Sequence, residues 1–268
     1  MHDAVVAVLL GIVEGLTEFL PVSSTAHLLI AQELLGFHPK GEVFPIVIQF
    51  GAILSVVVVY WQRFWSAAVG LPKSNEARHF ALSIIIAFLP AAVIGAAAHS
   101  FIKNVLFRED IAPMVIAATL ILGGIFILVF ERLSPKPRYF DGDRLPYSKA
   151  LQIGICQVLA IIPGVSRSGA TILGGELLGV ERKAAALFTF YLAVPTMLGA
   201  TVFDIYKNRH ELDAGAGIEI AIGFVVSFVV AYFVVKTFID FIGRYGLKPF
   251  GWYRIVAGLA IIAALTLR

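Results

Sequence analysis

Apolar stretches of about the length of a membrane span follow one another along most of this chain. Five carry no charged residue, and a sixth, residues 249–267, contains only Arg254. The five are residues 43–61, 80–98, 111–130, 184–203 and 220–235. A helix needs roughly 20 predominantly apolar residues to cross the hydrocarbon core of a bilayer. The pattern therefore predicts an all-α polytopic membrane protein.

The composition agrees with this class and excludes others. Of the 268 residues, 59% are hydrophobic and only 15% are charged, which is too little charge to cover the surface of a soluble domain of this length. The net charge of +3 is small and scattered, so it gives no indication of a nucleic-acid partner. Cys156 is the only cysteine, which rules out an internal disulfide.

Residues 4–36 and 150–180 do not follow the spanning pattern. Each segment consists of two apolar runs on either side of a break rich in Pro, Ser and Gly. Runs of roughly 10–15 residues are too short to span and are typical of re-entrant half-helices. Irregular backbone at membrane depth is tolerated only where it is buried in protein or lines a wet cavity. These two broken hairpins are therefore expected to meet at a functional site.

The two halves of the chain align at a constant offset of 143 residues, which takes Gly11 to Gly154, Glu14 to Gln157 and Ser23 to Ser166. Each copy is one broken hairpin followed by three transmembrane helices. Because three is odd, the second copy enters the membrane from the opposite side, which makes an inverted-topology repeat. The expected organisation is a single integral membrane domain, residues 1–268, with repeats at about 1–135 and about 145–268.

The distribution of Lys and Arg predicts the orientation. In this topology fourteen of the 21 basic residues fall on one side, among them those of loops 62–79 and 131–149 and Arg254, and six fall on the other side. The side richer in Lys and Arg is expected to be cytoplasmic. Both termini and the first hairpin then face outward.

Two carboxylates open the first polar run, residues 14–27. Glu14 and Glu18 are four residues apart, so on a helix they share one face with Cβ atoms about 5–6 Å apart. A hard divalent metal ion, a shared proton or an arginine would relieve their repulsion. The plainer interpretation, two acids at a helix end in water, is disfavoured by the apolar residues on both sides.

Hydroxyl groups and a histidine follow Pro21 in the same run. Ser23, Ser24 and Thr25 are typical of a helix N-terminus, where hydroxyls cap the helix and free N–H groups bind anions. A hydroxyl there can also act as a nucleophile if a base lies nearby. His27 is three residues past Ser24, so one helical turn can place its imidazole beside that hydroxyl. The alternatives are plain capping for the hydroxyls and a structural role for His27.

The second polar run, residues 163–171, offers Ser166, Arg167, Ser168 and Thr171 after a Pro-Gly break. The planar fork of Arg167 suits phosphate oxygens. A structural Arg–Glu pair between the repeats is the plainer alternative. Two acids, a His, an Arg, several hydroxyls and two half-helix N-termini together indicate a phosphate site with hydrolytic capacity.

At these residues the chain resembles the bacterial undecaprenyl-diphosphate phosphatases, also called bacitracin-resistance proteins. Residues 14–18 match the (E/Q)xxxE motif of that family, and residues 163–171 match its PGxSRSxxT motif at every fixed position. Residues 21–25 and His27 match the segment between them. The resemblance implies a C55 isoprenoid diphosphate substrate, a divalent cation (Mg or Ca), and an outward-facing site in the bacterial inner membrane. It also implies that bacitracin competes for the substrate, while the oligomeric state stays open.

The residues and the resemblance together suggest one mechanism. Ser23, Thr25, Ser166, Arg167, Ser168 and Thr171 are expected to bind the diphosphate, and Glu14 and Glu18 the metal. Ser24 would attack the terminal phosphorus, with His27 as base or proton shuttle. The rival is direct attack by water activated by a glutamate. A transporter or flippase of the polyprenyl phosphate, or a non-catalytic bacitracin-binding scaffold, remain as alternative functions.

Overall fold

The computed structural model describes residues 2–37, 43–101, 108, 111–207 and 217–266, and this part of the chain is helical with short irregular connections. The predicted loop positions Lys40, Lys103, Arg209 and Arg268 lie outside the described residues. The eleven α-helices found there are α1 His2–Thr17, α2 Ser24–Leu35, α3 Val43–Val59, α4 Trp61–Gly70, α5 Asn75–Phe101, α6 Ala112–Leu133, α7 Tyr147–Gln157, α8 Arg167–Leu177, α9 Arg182–Lys207, α10 Gly217–Tyr245 and α11 Lys248–Thr266. The prediction of an all-helical chain is confirmed.

Five helices are long and apolar enough to cross a membrane: α5, α6, α9, α10 and α11. A sixth span exists if α3 and α4 are taken together, although the chain bends by 73° between them. The predicted stretches 80–98, 111–130, 184–203 and 220–235 lie within these long helices, except that α6 begins one residue later, at Ala112. Stretch 43–61 is not one continuous helix, because α3 ends at Val59 and the chain continues in α4 in another direction. Trp61 and Trp65 of α4 stack on each other and are exposed, as is typical of a helix at a membrane interface.

Two pairs of shorter helices form the predicted broken hairpins. Helices α1 and α2 pack against each other and are joined by residues 18–23, while α7 and α8 pack likewise and are joined by residues 158–166. At the second break, Gly164 has φ +83, and a Cβ there would lie 2.0 Å from the Thr119 hydroxyl. Glycine is needed for both reasons. We refer below to residues 18–23 and 158–166 as the first and second break.

Each hairpin packs its first half-helix closely on a long helix. A Cβ on Gly11 would lie 2.7 Å from the carbonyl oxygen of Gly223 in α10, and one on Gly154 would lie 2.2 Å from that of Ala87 in α5. Glycine at these positions lets the two backbones approach closely. In a membrane, where the hydrophobic effect does not drive helices together, such close van der Waals packing stabilises their association. Both breaks are thereby fixed inside the bundle.

The first break also contributes to the largest apolar cluster. Phe19 is fully buried and meets Phe190 of α9 edge to face, with ring centroids 5.4 Å apart. Val56 of α3 and Phe238 of α10 belong to the same cluster. Because Phe19 is the immediate neighbour of Glu18, its burial fixes the backbone that carries this carboxylate.

Arg254 corrects one prediction. The sequence suggested that it interrupts the last span and belongs to a basic loop. Instead α11 runs through it without a break, and its side chain is buried, 3% exposed. The helix tolerates the charge because the guanidinium donates to backbone carbonyl groups rather than facing lipid. Without Arg254, the side expected to be cytoplasmic still has more Lys and Arg residues than the other side.

Candidate active site

A cavity of about 520 Å³ lies where the two breaks meet. Its polar wall contains six of the residues predicted for the site: Glu18, Ser23, Ser24, Thr25, Ser166 and Arg167. Its apolar wall comes from the second half of α5 and from α9, with Phe88, Ala92, Gly95, Met197 and Ala200 among its residues. A pocket with one polar and one apolar wall suits a ligand with a charged head and a hydrocarbon tail.

Glu18 is the centre of the polar wall. Its Oε2 accepts a hydrogen bond from the Ser24 hydroxyl, and its Oε1 accepts one from Nη2 of Arg167 at 3.3 Å. Arg167 also donates through Nη1 to the carbonyl oxygen of Thr189, 3.4 Å away. The side chains of Glu18 and Arg167 are 4% and 12% exposed, so this pair joins the two hairpins in a largely dry setting.

Glu14 lies behind the cavity and is fully buried. Its carboxyl group contacts that of Glu18, close enough for the two to share a proton, and Arg167 is the nearby positive charge. No other group in the described residues donates a hydrogen bond to either oxygen. A buried carboxylate without a donor is costly, and a divalent cation bound by oxygen ligands would relieve that cost. The residues present therefore fit a cation. No three His, Cys, Asp or Glu side chains cluster anywhere in the described ranges, so water or phosphate oxygens would complete its ligands.

The N-terminus of α2 presents the hydroxyl groups of the first run. Ser23 is the N-cap residue, with φ 72 and ψ 94, and its side chain makes no capping hydrogen bond. It is the one non-glycine residue of the described chain with positive φ. Such strain persists where the surroundings enforce it, often at functional sites. With no side-chain cap, N–H groups of the first turn of α2 are left for an anion.

The N-terminus of α8 is built differently. Ser166 caps it by accepting from the N–H of Gly169 at 3.1 Å. The Ser168 hydroxyl donates to the carbonyl oxygen of Leu20 at 2.8 Å and so ties the second hairpin to the first break. Thr171 donates to the carbonyl oxygen of Arg167 at 2.9 Å and accepts from the Thr189 hydroxyl.

Two residues predicted to bind substrate therefore sit elsewhere. Ser168 and Thr171 are fully buried and do not line the cavity. Their hydroxyls are occupied by main-chain carbonyls and by Thr189, because positions 168 and 171 of α8 face the protein while Arg167 faces the cavity. In the structure they support the hairpin.

Both ring nitrogens of His27 contact groups other than the Ser24 hydroxyl that it was expected to activate. Its Nδ1 is 2.7 Å from the carbonyl oxygen of Ser23, and its Nε2 is 2.6 Å from the Tyr253 hydroxyl. The rings of His27 and Tyr253 are stacked with centroids 5.5 Å apart. This assigns the tautomer with the proton on Nδ1, which donates to Ser23 while Nε2 accepts from Tyr253. The group beside the Ser24 hydroxyl is Glu18.

Comparisons with known proteins identify the family. A family model described as "Bacitracin resistance protein BacA" matches residues 7–260, which include every residue of the cavity. The chain belongs to this family. It is 53% identical to "Undecaprenyl-diphosphatase 1" of Agrobacterium fabrum over 97% of both chains. It is 51% identical to "Undecaprenyl-diphosphatase" of Cereibacter sphaeroides over 97% of this chain and 96% of that protein. It is 48% identical to the protein of that name in Paracoccus denitrificans over 98% of both.

The site of this BacA-family chain includes residues that sequence reasoning did not assign. Gln49, Gln157 and Thr196 line the cavity. Gln157 carried a signal, because the repeat offset aligns it with Glu14. Arg254 does not line the cavity but binds both breaks. Its sequence signal was an arginine within a predicted span, but its position near the start of that apolar stretch suggested a loop. Gln49 and Thr196 lie in long apolar helices without any local pattern that marks them.

Proposed function

We propose that this chain is an integral membrane phosphatase that hydrolyses undecaprenyl diphosphate to undecaprenyl phosphate and phosphate. This reaction returns the lipid carrier to cell-wall synthesis and confers bacitracin resistance. The observation that carries the proposal is the contact of Ser24, Glu18 and Arg167 across the two breaks. It places a nucleophile, a proton acceptor and a phosphate-binding cation at one wall of a half-apolar cavity. Family membership and relatives named for this activity support it.

The proposed chemistry begins at Ser24. Its hydroxyl oxygen attacks the terminal phosphorus while its proton passes to Glu18, to which it is already hydrogen-bonded. A bond from Oγ to phosphorus forms, and the phosphoanhydride bond breaks. The electron pair of the broken bond stays on the departing undecaprenyl phosphate. Water then attacks the phosphoserine, and Glu18 returns its proton to the Ser24 oxygen as the bond from Oγ to phosphorus breaks. The protons of the water molecule leave with the released phosphate.

Arg167 and the N-terminus of α2 stabilise the charge in this step. The guanidinium has a contact to Glu18 at 3.3 Å, and its planar fork can bind phosphate oxygens as well. The α2 N-terminus adds the positive end of a helix dipole. Both groups are fixed before substrate arrives, so their stabilisation needs little reorganisation in the transition state.

Glu14 and Glu18 are the residues that would hold a divalent cation, Mg²⁺ or Ca²⁺. When bound, such an ion neutralises negative charge that develops on phosphate oxygens. Of the two carboxylates, only Glu18 lines the cavity, so Glu14 would anchor the ion from behind.

The rival chemistry is attack by a water molecule, with Ser24 as a phosphate ligand only. The two predict different intermediates. With Ser24 as nucleophile, acid quenching during turnover traps phosphate on Ser24, and Ser24→Ala loses at least about 10³-fold in kcat. Direct attack by water gives no phosphoenzyme and leaves substantial activity in Ser24→Ala.

The isoprenoid tail would leave the cavity along its apolar wall. Ala91, Ala92 and Gly95 of α5 and Gly199 and Ala200 of α9 line that wall. Small side chains leave room for a hydrocarbon chain between two spanning helices. A tail placed there would continue into the bilayer without leaving an apolar environment.

The inverted-topology repeat is part of the proposal. Helices α2 and α8 begin at Ser24 and Arg167, which are separated by the repeat offset of 143. The packing is exchanged between the halves, since α1 lies on α10 while its counterpart α7 lies on α5, the counterpart of α10. Interdigitated repeats related by a pseudo-two-fold axis would produce this exchange.

The proposed orientation places the cavity on the outer, periplasmic side of the bacterial inner membrane. The cavity lies along the second half of α5 and of α9. Both helices begin on the side with more Lys and Arg, which is expected to be cytoplasmic. The second halves of these helices therefore approach the opposite face.

A transporter or flippase of polyprenyl phosphate is the second candidate, favoured by the two broken helical hairpins. It needs two compartments, whereas a phosphatase works in detergent. Hydrolysis gives the buried contact from Ser24 to Glu18 a direct role as nucleophile and proton acceptor, which favours the phosphatase.

The deciding experiment measures phosphate release from undecaprenyl diphosphate by detergent-purified protein, with and without EDTA. Wild type is expected to release phosphate in a metal-dependent way, and Glu18→Ala to lose that release. Glu219→Ala, an acidic residue in the first turn of α10, is the matched control and is expected to behave as wild type. Absence of release by folded wild-type protein would contradict the proposal and favour transport.

A further inference from the structure

Arg254 is a buried cation whose partners are all backbone carbonyl groups. Its Nη1 donates to Pro21 at 3.1 Å, its Nη2 to Gly164 at 3.0 Å and to Thr119 at 3.1 Å, and its Nε to Leu120 at 3.5 Å. Within the described chain it forms no ion pair with a carboxylate, unlike the half-buried Arg182, which bridges two glutamates.

The carbonyls that it binds belong to both breaks. Pro21 lies between Glu18 and Ser24 in the first break, and Gly164 lies three residues before Arg167 in the second. Thr119 and Leu120 are in α6, next to α11. One planar guanidinium thus joins the two breaks and fixes them to the α6–α11 pair.

Stability alone does not explain this arrangement. A buried cation without a counter-charge is costly, and apolar residues of similar volume often serve a core as well or better. The carbonyl groups offset part of the cost. Those of Pro21 and Gly164 are open to the guanidinium because the two breaks interrupt helical hydrogen bonding. The contacts of the guanidinium with both breaks therefore point to a role at the cavity, where the two breaks meet.

We propose that Arg254 is a positioning residue for hydrolysis. It holds the two breaks in the relative position that brings Ser24 and Glu18 of the first hairpin to Arg167 of the second. This inference rests on the proposed phosphatase function. The link is short, since Pro21 is three residues from both Glu18 and Ser24, and the strained Ser23 between them allows little freedom.

Helix α6 leaves space for the Arg254 side chain at Gly123. A Cβ on Gly123 of α6 would lie 2.4 Å from Nη2 of Arg254 and 2.9 Å from its Cζ. The obstacle is the far end of a flexible side chain, so an alanine there displaces the guanidinium without separating the helices. Gly123→Ala therefore tests the position of the charge while leaving the charge in place.

The experiment compares Arg254→Lys, Gly123→Ala and wild type for kcat, KM and melting temperature in detergent with undecaprenyl diphosphate. Lysine keeps the charge but cannot reach both breaks and α6 with one planar group. Misplacement of reacting groups by about 1 Å costs about 10²-fold, so both variants are expected to lose about that in kcat, with KM within about threefold. Arg182→Lys is the matched control, expected to lower the melting temperature while the folded protein keeps its kcat.

The outcomes separate this inference from the function itself. If Arg254→Lys does not fold, Gly123→Ala gives the answer alone. Wild-type kcat in Gly123→Ala, or a fall in kcat that Arg182→Lys reproduces at equal loss of melting temperature, would overturn the positioning role. In either case phosphate release by wild type leaves the phosphatase function standing, whereas no release by wild type refutes both.

Discussion

Two glutamates one helical turn apart have opposite surroundings in this protein. Glu18 accepts from Ser24 and Arg167, whereas Glu14 contacts the Glu18 carboxyl and accepts from no other group in the described chain. Burial makes the second arrangement unfavourable unless a cation is present. Of the two, only Glu18 lines the cavity, which agrees with the proposed parts of Glu18 at the reacting groups and Glu14 behind them.

Replacement of Glu14 should therefore stabilise the metal-free protein. Glu14→Gln keeps the shape and removes the unpaired charge, so in EDTA the free energy of unfolding is expected to rise by roughly 1–3 kcal/mol. Mg²⁺ or Ca²⁺ is expected to raise the melting temperature of wild type but not that of the variant. Thermal denaturation in detergent measures both. A variant less stable than wild type in EDTA would contradict this and indicate a proton shared between the two carboxyl groups.

The two N-cap serines allow a matched comparison. Ser166 makes a capping hydrogen bond, so Ser166→Ala should lose about 1 kcal/mol of stability. Ser23 makes none and has φ 72. Ser23→Gly relieves strain of order 1–3 kcal/mol against an added chain entropy of roughly 0.5–1 kcal/mol, so it should be at least as stable as wild type. Melting temperatures test the pair, and equal losses in both would show that Ser23 is not strained.

At the scale of helices, the sequence predicted where segments break but not which way their side chains point. Pro21 and Pro163 with flanking hydroxyls mark the two breaks, and α2 and α8 begin within these hydroxyl-rich runs, at Ser24 and Arg167. Spacing placed His27 one turn from Ser24, yet the ring turns to Tyr253, 226 residues away in the sequence. Such a contact depends on how α11 packs, which no local pattern encodes.

Glycine at a helix contact should be intolerant of even one methyl group. A Cβ on Gly154 would meet the carbonyl oxygen of Ala87 at 2.2 Å, and backbone cannot move aside as a side chain can. Gly154→Ala is therefore expected to lose about 1–3 kcal/mol through separation of α7 from α5. Gly217→Ala, where the space is open, is the control and should lose nothing. A Gly154→Ala variant as stable as this control would refute the close contact.

At the scale of the whole molecule, the site exists only because the two halves meet. Ser24 and Glu18 come from one hairpin and Arg167 from the other, and Arg254 from the last helix holds both breaks. The pairing of the two motifs was foreseeable from the repeat offset. The contact of Arg254 in α11 with both breaks was not foreseeable. A single arginine near the end of an apolar stretch looks the same in the sequence whether it lies in a loop or in the core.

The orientation of the molecule decides which compartment the cavity serves, and single cysteines can test it. In a Cys156→Ser background, Ser134→Cys follows α6 on the basic side, and Thr266→Cys ends α11 on the other, and both positions are exposed. If the basic side is cytoplasmic, a membrane-impermeant maleimide should label Thr266→Cys in spheroplasts and Ser134→Cys only after lysis. Equal labelling of both without lysis would mean that α11 does not cross. The reverse pattern would place the cavity on the cytoplasmic face, where a carrier released outside could be hydrolysed only after translocation.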